Sequence, residues 1–237
     1  MAAPHAVVTG CSSGIGHAIT ATLLAGGWKV TGLSRREPVF APQANPQTGD
    51  ADEGTFEWLR ADLSAPEALP GLLSHLGTVD AVVHAAGFMT TAPLGSLDPA
   101  ALRGMFAVHV EAASALVDTL STRITDGGRV VLVGSRTMSG VAGKSHYAAT
   151  KSALAGLSRS WAIELAPRSI TCNVVAPGPT DTPMLNDPGR AGVPPKVPAL
   201  GKLVDPADVA ELVAFLLGQH GSSITGQTLT ICGGASL

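Results

Sequence analysis

With 237 residues, 45% of them hydrophobic and only 14% charged, the chain is long enough to bury roughly 70% of its unfolded surface around one α/β core. A formal net charge of −3 without basic blocks excludes a nucleic-acid binder, and three scattered cysteines, Cys11, Cys172 and Cys232, argue against a disulfide framework or a thiolate metal site. The opening residues lack a basic segment and an apolar core, and no apolar run reaches the ~20 residues of a membrane span, so a soluble cytoplasmic protein is expected, with no membrane partner.

In chain order, Ala6-Val7-Val8 is a short strand that runs into Thr9-Gly10-Cys11-Ser12-Ser13-Gly14-Ile15-Gly16, and Ala18 to Leu24 reads as helix. Strand, glycine turn and helix make a phosphate cradle: glycines allow close backbone approach, and the helix presents free N–H groups and its positive dipole end. A second strand, Lys29 to Leu33, ends in Ser34-Arg35-Arg36. At that position a carboxylate suits the ribose hydroxyls of NAD, whereas two arginines suit a 2′-phosphate and favour NADP. Residues 37–54 are rich in Pro, Gly, Asn, Gln and Asp and predict a loop in place of a crossover helix. Phe56 to Arg60 alternates like a strand. Asp62 follows, placed either to meet an adenine or to cap a helix beginning near Pro66.

The continuous apolar run Val79 to His84 predicts a buried parallel strand that ends in Ala85-Ala86-Gly87, small enough for a cofactor to lie against. A helix is expected over 99–123, with His109 inside it, and a strand over Arg129 to Ser135, with the serine hydroxyl at its carboxyl end. An amphipathic run from Ser145 to about Ala166 predicts a helix on which Tyr147 and Lys151, four positions apart, share a face. A phenol ionises near pH 10, and lowering that by roughly three units takes about 4 kcal/mol, which a fixed neighbouring cation can supply. Ile170 to Val175 is a further strand, 183–201 a Pro- and Gly-rich segment expected to form a lid, Pro206 to Leu217 a helix and Thr228 to Ile231 a last strand. The alternation predicts an α/β fold: one doubly wound, Rossmann-type parallel sheet of about seven strands, with helices on both faces, as a single domain over 1–237.

The set of motifs resembles the short-chain dehydrogenase/reductase family over nearly the whole chain: the glycine turn at 9–16, Asp62, Ala85-Ala86-Gly87, Ser135, Tyr147-Ala148-Ala149-Thr150-Lys151, Asn173, Pro177-Gly178 with Thr182, and Thr225-Gly226-Gln227. The resemblance implies an oxidoreductase that interconverts a ketone or 3-oxoacyl-type carbonyl and a secondary alcohol with NADP(H), NAD(H) being disfavoured. Tyr147 would be the general acid/base, Lys151 its charge partner and Ser135 the donor to the carbonyl oxygen. Cofactor contacts are expected from Gly10, Ser12, Ser13, Gly14, Ile15 and Gly16, from Ser34, Arg35 and Arg36, from Asp62 and Leu63, and from Ala85, Ala86 and Gly87. Tyr147, Lys151, Pro177, Gly178, Thr180 and Thr182 complete that set, and no metal is expected.

The chain departs from the family where His84 and Ala85 replace asparagines, where His109 replaces an asparagine, and where Cys232 replaces an aspartate; Ser135 and Tyr147 are twelve positions apart, one fewer than usual. His109 either anchors or carries a proton in the relay that the family asparagine serves, or it fills space beside the helix of Lys151. Small residues Ala153, Ala155, Gly156, Ser158 and Ala162 on that helix, with the resemblance, imply a homotetramer or homodimer. Phe88, Met89, Met138, Met184 and Leu185 are expected to line an apolar substrate pocket in which Arg136, Lys144 and His146 could select an anion. Two rival classes are an NADP(H)-binding sensor without turnover, and a Ser/His hydrolase, which fails because Val133 and Thr137 flank Ser135 where glycines are needed.

Overall fold

Seven parallel strands form one sheet in the order β3-β2-β1-β4-β5-β6-β7. The strands are β1 His5–Thr9, β2 Lys29–Ser34, β3 Phe56–Arg60, β4 Val79–His84, β5 Ile124–Val133, β6 Thr171–Pro177 and β7 Thr228–Ile231. The computed structural model describes residues 2–40, 54–186 and 197–237. Most of the loop expected over 37–54, and residues 187–196 of the expected lid, lie outside those residues.

The apolar runs became strands because both faces of the sheet are covered. Val7, Val82, Val130 and Val174 point into one core with Leu116, Leu120 and Leu154. Ala6, Val8, Val83, Val131 and Val175 point into the other with Ile19, Leu23, Val209 and Val213. Helix α1 (Gly14–Ala25) and α6 (Pro206–Leu217) pack together on the second face, while α3 (Pro99–Phe106), α4 (Ala112–Leu120) and α5 (Ser145–Leu165) cover the first. A sheet buried on both sides reads as unbroken hydrophobic strands. The stretch Pro99–Leu120 has the length and hydropathy of a membrane span, but it is a core helix, with Met105, Ala112, Ala113, Leu116, Val117 and Leu120 buried.

Four local differences from the sequence reading have physical causes. Helix α1 starts at Gly14, four residues earlier than expected, because the glycine turn itself supplies its first turn. The helix expected near Pro66 is a single 3₁₀ turn, Pro66–Ala68, and a four-residue helix, α2 (Leu69–Leu72), with Pro70 in its first turn and Gly71, a poor helix former, inside it. Strand β5 begins at Ile124, not Arg129: Thr125-Asp126-Gly127-Gly128 forms a bulge, with Gly127 at φ +80°, that shifts the register between Val79 and Ala81. The helix expected over 99–123 is interrupted by a π turn, Ala107–Glu111, with His109 at its centre. Such turns add a residue to one helical loop and rotate a side chain off its regular face; here His109 becomes fully buried.

Candidate active site

The chain order reverses between β1 and β4, whose neighbours run outward in opposite directions, and ligands of open α/β sheets bind outside the carboxyl ends at such a point. A cavity of about 470 Å³ lies there. Gly10, with φ +74°, and Gly16 make the turn possible: a Cβ on Gly10 would stand 2.9 Å from the Ala86 backbone, and one on Gly16 would overlap the Gly10 carbonyl oxygen. Ser13, at the start of α1, makes no side-chain cap bond. The first-turn N–H groups of α1 are therefore left for a ligand, and they face the cavity with Ser12, Ser13, Gly14 and Ile15 in its wall. This cradle fits a diphosphate.

Each residue expected to hold the cofactor lines that cavity, as do Ser135, Tyr147 and Lys151. The side chains differ in what they do there. Ser34 Oγ accepts from Trp58 Nε1 at 3.1 Å and from the Cys11 thiol at 3.3 Å, and gives its one proton to the Arg36 carbonyl at 2.6 Å. It shapes the Arg35-Arg36 turn. Asp62 Oδ1 accepts from the Ser64 amide and hydroxyl at 3.0 and 2.8 Å, bonds that, ahead of nearby Arg35, hold its carboxyl below the usual range. It thus anchors a turn before Pro66 while also lining the cavity. Asn173 ties β6 to the Thr225-Gly226-Gln227 turn, donating to the Ile224 carbonyl and accepting from the Gln227 amide.

Ser135, two residues beyond the end of β5, starts a short 3₁₀ turn, its Oγ accepting from the Thr137 amide at 3.1 Å. Its own proton remains available to a ligand oxygen. One helical turn apart on α5, Tyr147 and Lys151 are both buried, and the lysine Nζ donates to the Val133 carbonyl at 2.7 Å. Burial alone pushes Lys151 down to about 7.

Of the residues expected to act in catalysis or to hold the cofactor, His109 alone does not line the cavity. It stands behind the wall, 5.6 Å from the Tyr147 ring in an edge-on contact, and a Cβ on Gly87 would meet its Nε2 at 2.9 Å and Lys151 Nζ at 3.3 Å. Its Nε2 accepts from the Phe88 amide at 3.1 Å. The ring proton therefore sits on Nδ1, 2.9 Å from Thr150 Oγ1, which donates onward to the Tyr147 carbonyl at 3.0 Å. Burial, then Lys151, then His84 hold His109 well below its ordinary pKa, so it is neutral.

His84 takes the opposite tautomer. Thr9 Oγ1 accepts from the Ala85 and Ala86 amides at 3.1 and 3.2 Å, so its proton goes to His84 Nδ1 at 3.0 Å. That leaves the His84 proton on Nε2, which is buried with no hydrogen-bond partner among the described residues. Burial, reinforced by Lys151, pushes this imidazole down to about 3. Sequence reasoning noticed His84 only as a departure and missed Thr150; the signal for the latter is a hydroxyl three residues after Tyr147 on a buried face. In the substrate half, Phe88, Met89, Met184, Leu185, Arg136 and Lys144 line the cavity as expected, but Met138 and His146 do not. Met138 packs into the core beside Gly134.

The comparisons with known proteins agree with this geometry. Residues 10–236 match the family model described as enoyl-(acyl carrier protein) reductase. The 3-oxoacyl-(acyl-carrier-protein) reductase of Salmonella typhimurium is 36% identical over 236 residues, spanning 97% of this chain and 96% of the relative. Its counterpart in Escherichia coli is 35% identical with the same coverage. Among solved structures, a blue fluorescent protein from a metagenomic library in complex with NADPH superposes with a TM-score of 0.83 at 33% identity, over 99% of this chain and 98% of that one. A dehydrogenase/reductase from Sinorhizobium meliloti gives 0.83 at 35%, over 100% and 96%.

The buried lysine sets a pH dependence of stability. Its folded pKa of about 7 lies below the ~10.4 of an unfolded lysine, so folding is penalised where the group must stay protonated, below about pH 7, and the penalty fades as pH rises toward 10. Lys151→Met should therefore raise thermal stability at pH 6, by about 3 kcal/mol after loss of the Val133 bond, and by little at pH 10. An advantage that does not change between pH 6 and pH 10 in thermal denaturation refutes this account.

Proposed function

The chain belongs to the short-chain dehydrogenase/reductase family, and from that premise we propose that it is an NADP(H)-dependent oxidoreductase interconverting a ketone or 3-oxoacyl-type carbonyl with its secondary alcohol. The observation that carries the reading is that Ser135, Tyr147 and Lys151 meet in the wall of the same cavity that runs over the glycine cradle and past Arg35 and Arg36.

In the reductive direction the Tyr147 hydroxyl gives its proton to the carbonyl oxygen, and the Ser135 hydroxyl donates a hydrogen bond that strengthens as that oxygen gains charge. The Lys151 ammonium stabilises the negative charge left on the phenol oxygen. The nicotinamide cofactor, when bound, supplies or takes the hydride. The glycine cradle and the open first turn of α1 would hold its diphosphate, Ala85 to Gly87 would lie against it, and Arg35 and Arg36 would meet a 2′-phosphate. With both ring nitrogens engaged by the protein, His109 acts as a positioning residue: it holds the Phe88 amide at the mouth of the cavity and Thr150 behind Tyr147.

The reading includes a cytoplasmic location and a homotetramer or homodimer. Of the small residues on α5, Ser158 and Ala162 are buried against the protein's own core, and Ser158 bonds to the Cys172 carbonyl. The assembly face would then be the outer ridge of Gly156, Ser160 and Ile163, the last 76% exposed. A monomer by light scattering at micromolar concentration contradicts it.

Activity separates these roles. Tyr147→Phe should abolish carbonyl reduction while sparing NADPH binding, and His109→Leu should lower kcat where His109→Asn, which can still bond to one of the two partners, keeps more of it. Retention of most of kcat in the phenylalanine variant sinks the assignment. One good contact from Arg35 to the 2′-phosphate contributes about 1.5–3 kcal/mol, a ten- to hundredfold preference for NADP(H). Arg35→Ala should erase most of it; equal kcat/KM with NAD(H) and NADP(H) in the wild type overturns the cofactor choice.

A further inference from the structure

We propose that His17 is a positioning residue for the 2′-phosphate of the cofactor: by clasping Val39 and Phe40 to helix α1, it holds the stretch of backbone that carries Arg35 and Arg36. The inference rests on the NADP(H) reading above and adds to it the device that keeps two surface arginines in place. Parallel strands are ordinarily joined through a packed helix, which fixes the turn at the end of the first strand. Here residues 35–40 leave β2 without entering a helix, and Arg35, Arg36 and Glu37 are all exposed. The turn has to be ordered by other means if it is to be ready for a phosphate.

The segment is tied at both ends. At its start, Ser34 Oγ donates to the Arg36 carbonyl at 2.6 Å and accepts from Trp58 Nε1 at 3.1 Å. At its finish, His17 Nε2 lies 3.1 Å from the Val39 carbonyl oxygen. A carbonyl can only accept, so Nε2 carries a proton and the bond runs from the helix to the segment. The same imidazole stacks on Phe40, with ring centroids 4.6 Å apart and planes 20° apart, and Phe40 meets Phe56 edge-on at 4.9 Å. Phe56 in turn lies over Gly32, where a Cβ would stand 2.7 Å from its ring. Three rings thus form a row from α1 to the backbone of β2. Between the two ties, Pro38 is buried and fixes one φ, whereas the Val39 side chain is 86% exposed, so Val39 is held by its carbonyl.

Arg35 and Arg36 line the cavity, and His17 and Phe40 do not. The clasp therefore touches a bound nucleotide only through the arginines it supports. An exposed arginine is ordered no better than the backbone beneath it, and a turn fixed in advance does not have to be ordered when the phosphate binds. NADH lacks that phosphate, so its binding gains nothing from the clasp.

Calorimetric titration of the protein with NADPH and with NADH tests this without turnover. His17→Ala should weaken NADPH binding about fivefold, the effect of about one hydrogen bond, and leave the Kd of NADH within about twofold. Phe40→Ala removes the clasp from its other side and should do the same, and the double variant should bind NADPH no more weakly than either single one. His17→Gln, whose amide can still donate to the Val39 carbonyl, should recover part of the loss. In an Arg35→Ala/Arg36→Ala background, His17→Ala should leave NADPH affinity unchanged, which a general loosening of α1 would not. An NADPH affinity that survives loss of the imidazole, or an equal loss for both nucleotides, overturns the proposal while the cofactor reading stands. A wild type that binds NADH as tightly as NADPH overturns both.

Discussion

One hydroxyl at the end of β1 governs the geometry of the whole site. Where β1 and β4 lie side by side, the chain leaving β4 must bend away across the mouth of the sheet, and its amides lose their strand partners. Thr9 Oγ1 takes two of them, from Ala85 and Ala86, and gives its proton to His84. Because these bonds pull Ala86 against Gly10, no side chain fits at the turn, and the backbone itself forms the floor of the cavity. Buried amides left unpaired cost about 1–3 kcal/mol each, so the close approach of the two strand ends is stabilised by the atom that demands it. Every later feature, from the cradle at α1 to the place of Gly87 between His109 and Lys151, is built on that contact.

The elements that were legible in the sequence are those whose pattern has a single physical cause. Runs such as Val79 to His84 read as strands covered on both faces, and the glycine turn, by itself no more than a tight loop, read as a cradle from the strand and helix signals on either side of it. What escaped detection depends on partners far along the chain. The residues of α3, the π turn and α4 share one hydrophobic period, and nothing in them announces that Ala107–Glu111 will widen. The turn is fixed by what His109 meets: the Phe88 amide from the loop after β4 and the Thr150 hydroxyl from α5. Likewise Met138 and Lys144 looked alike as candidates for the pocket wall. Only the short 3₁₀ turn after Ser135, which turns Met138 toward the core while α5 begins at Ser145, separates them.

The two histidines also explain how a cation is held with so little water. Their protons sit on opposite nitrogens, Nε2 in His84 and Nδ1 in His109, and each choice is forced by a backbone or hydroxyl donor. Protonating either would add a second buried charge beside Lys151, which is why burial and Lys151 both depress them. The lysine is thus surrounded by neutral dipoles and keeps one strong bond, to the Val133 carbonyl. A group poised near 7 by burial responds to whatever fills the cavity: an anion arriving nearby restores its charge, and its loss releases a proton. Ligand binding and lysine protonation are therefore coupled by the same few ångströms of dry space.

Helix α5 fixes the distances within that space. It is 21 residues long and pinned at two points beyond its first turn, by Ser152 to the Met138 carbonyl and by Ser158 to the Cys172 carbonyl. Its reactive side chains thus cannot drift relative to Ser135. Its first turn carries no acidic residue and no side-chain cap, so the positive end of the helix dipole is not neutralised from within the helix. Tyr147 lies in that turn and Lys144 directly before it. The charge of the backbone therefore acts toward a cavity whose chemistry, on the reading above, puts negative charge on the oxygen that Tyr147 and Ser135 hold.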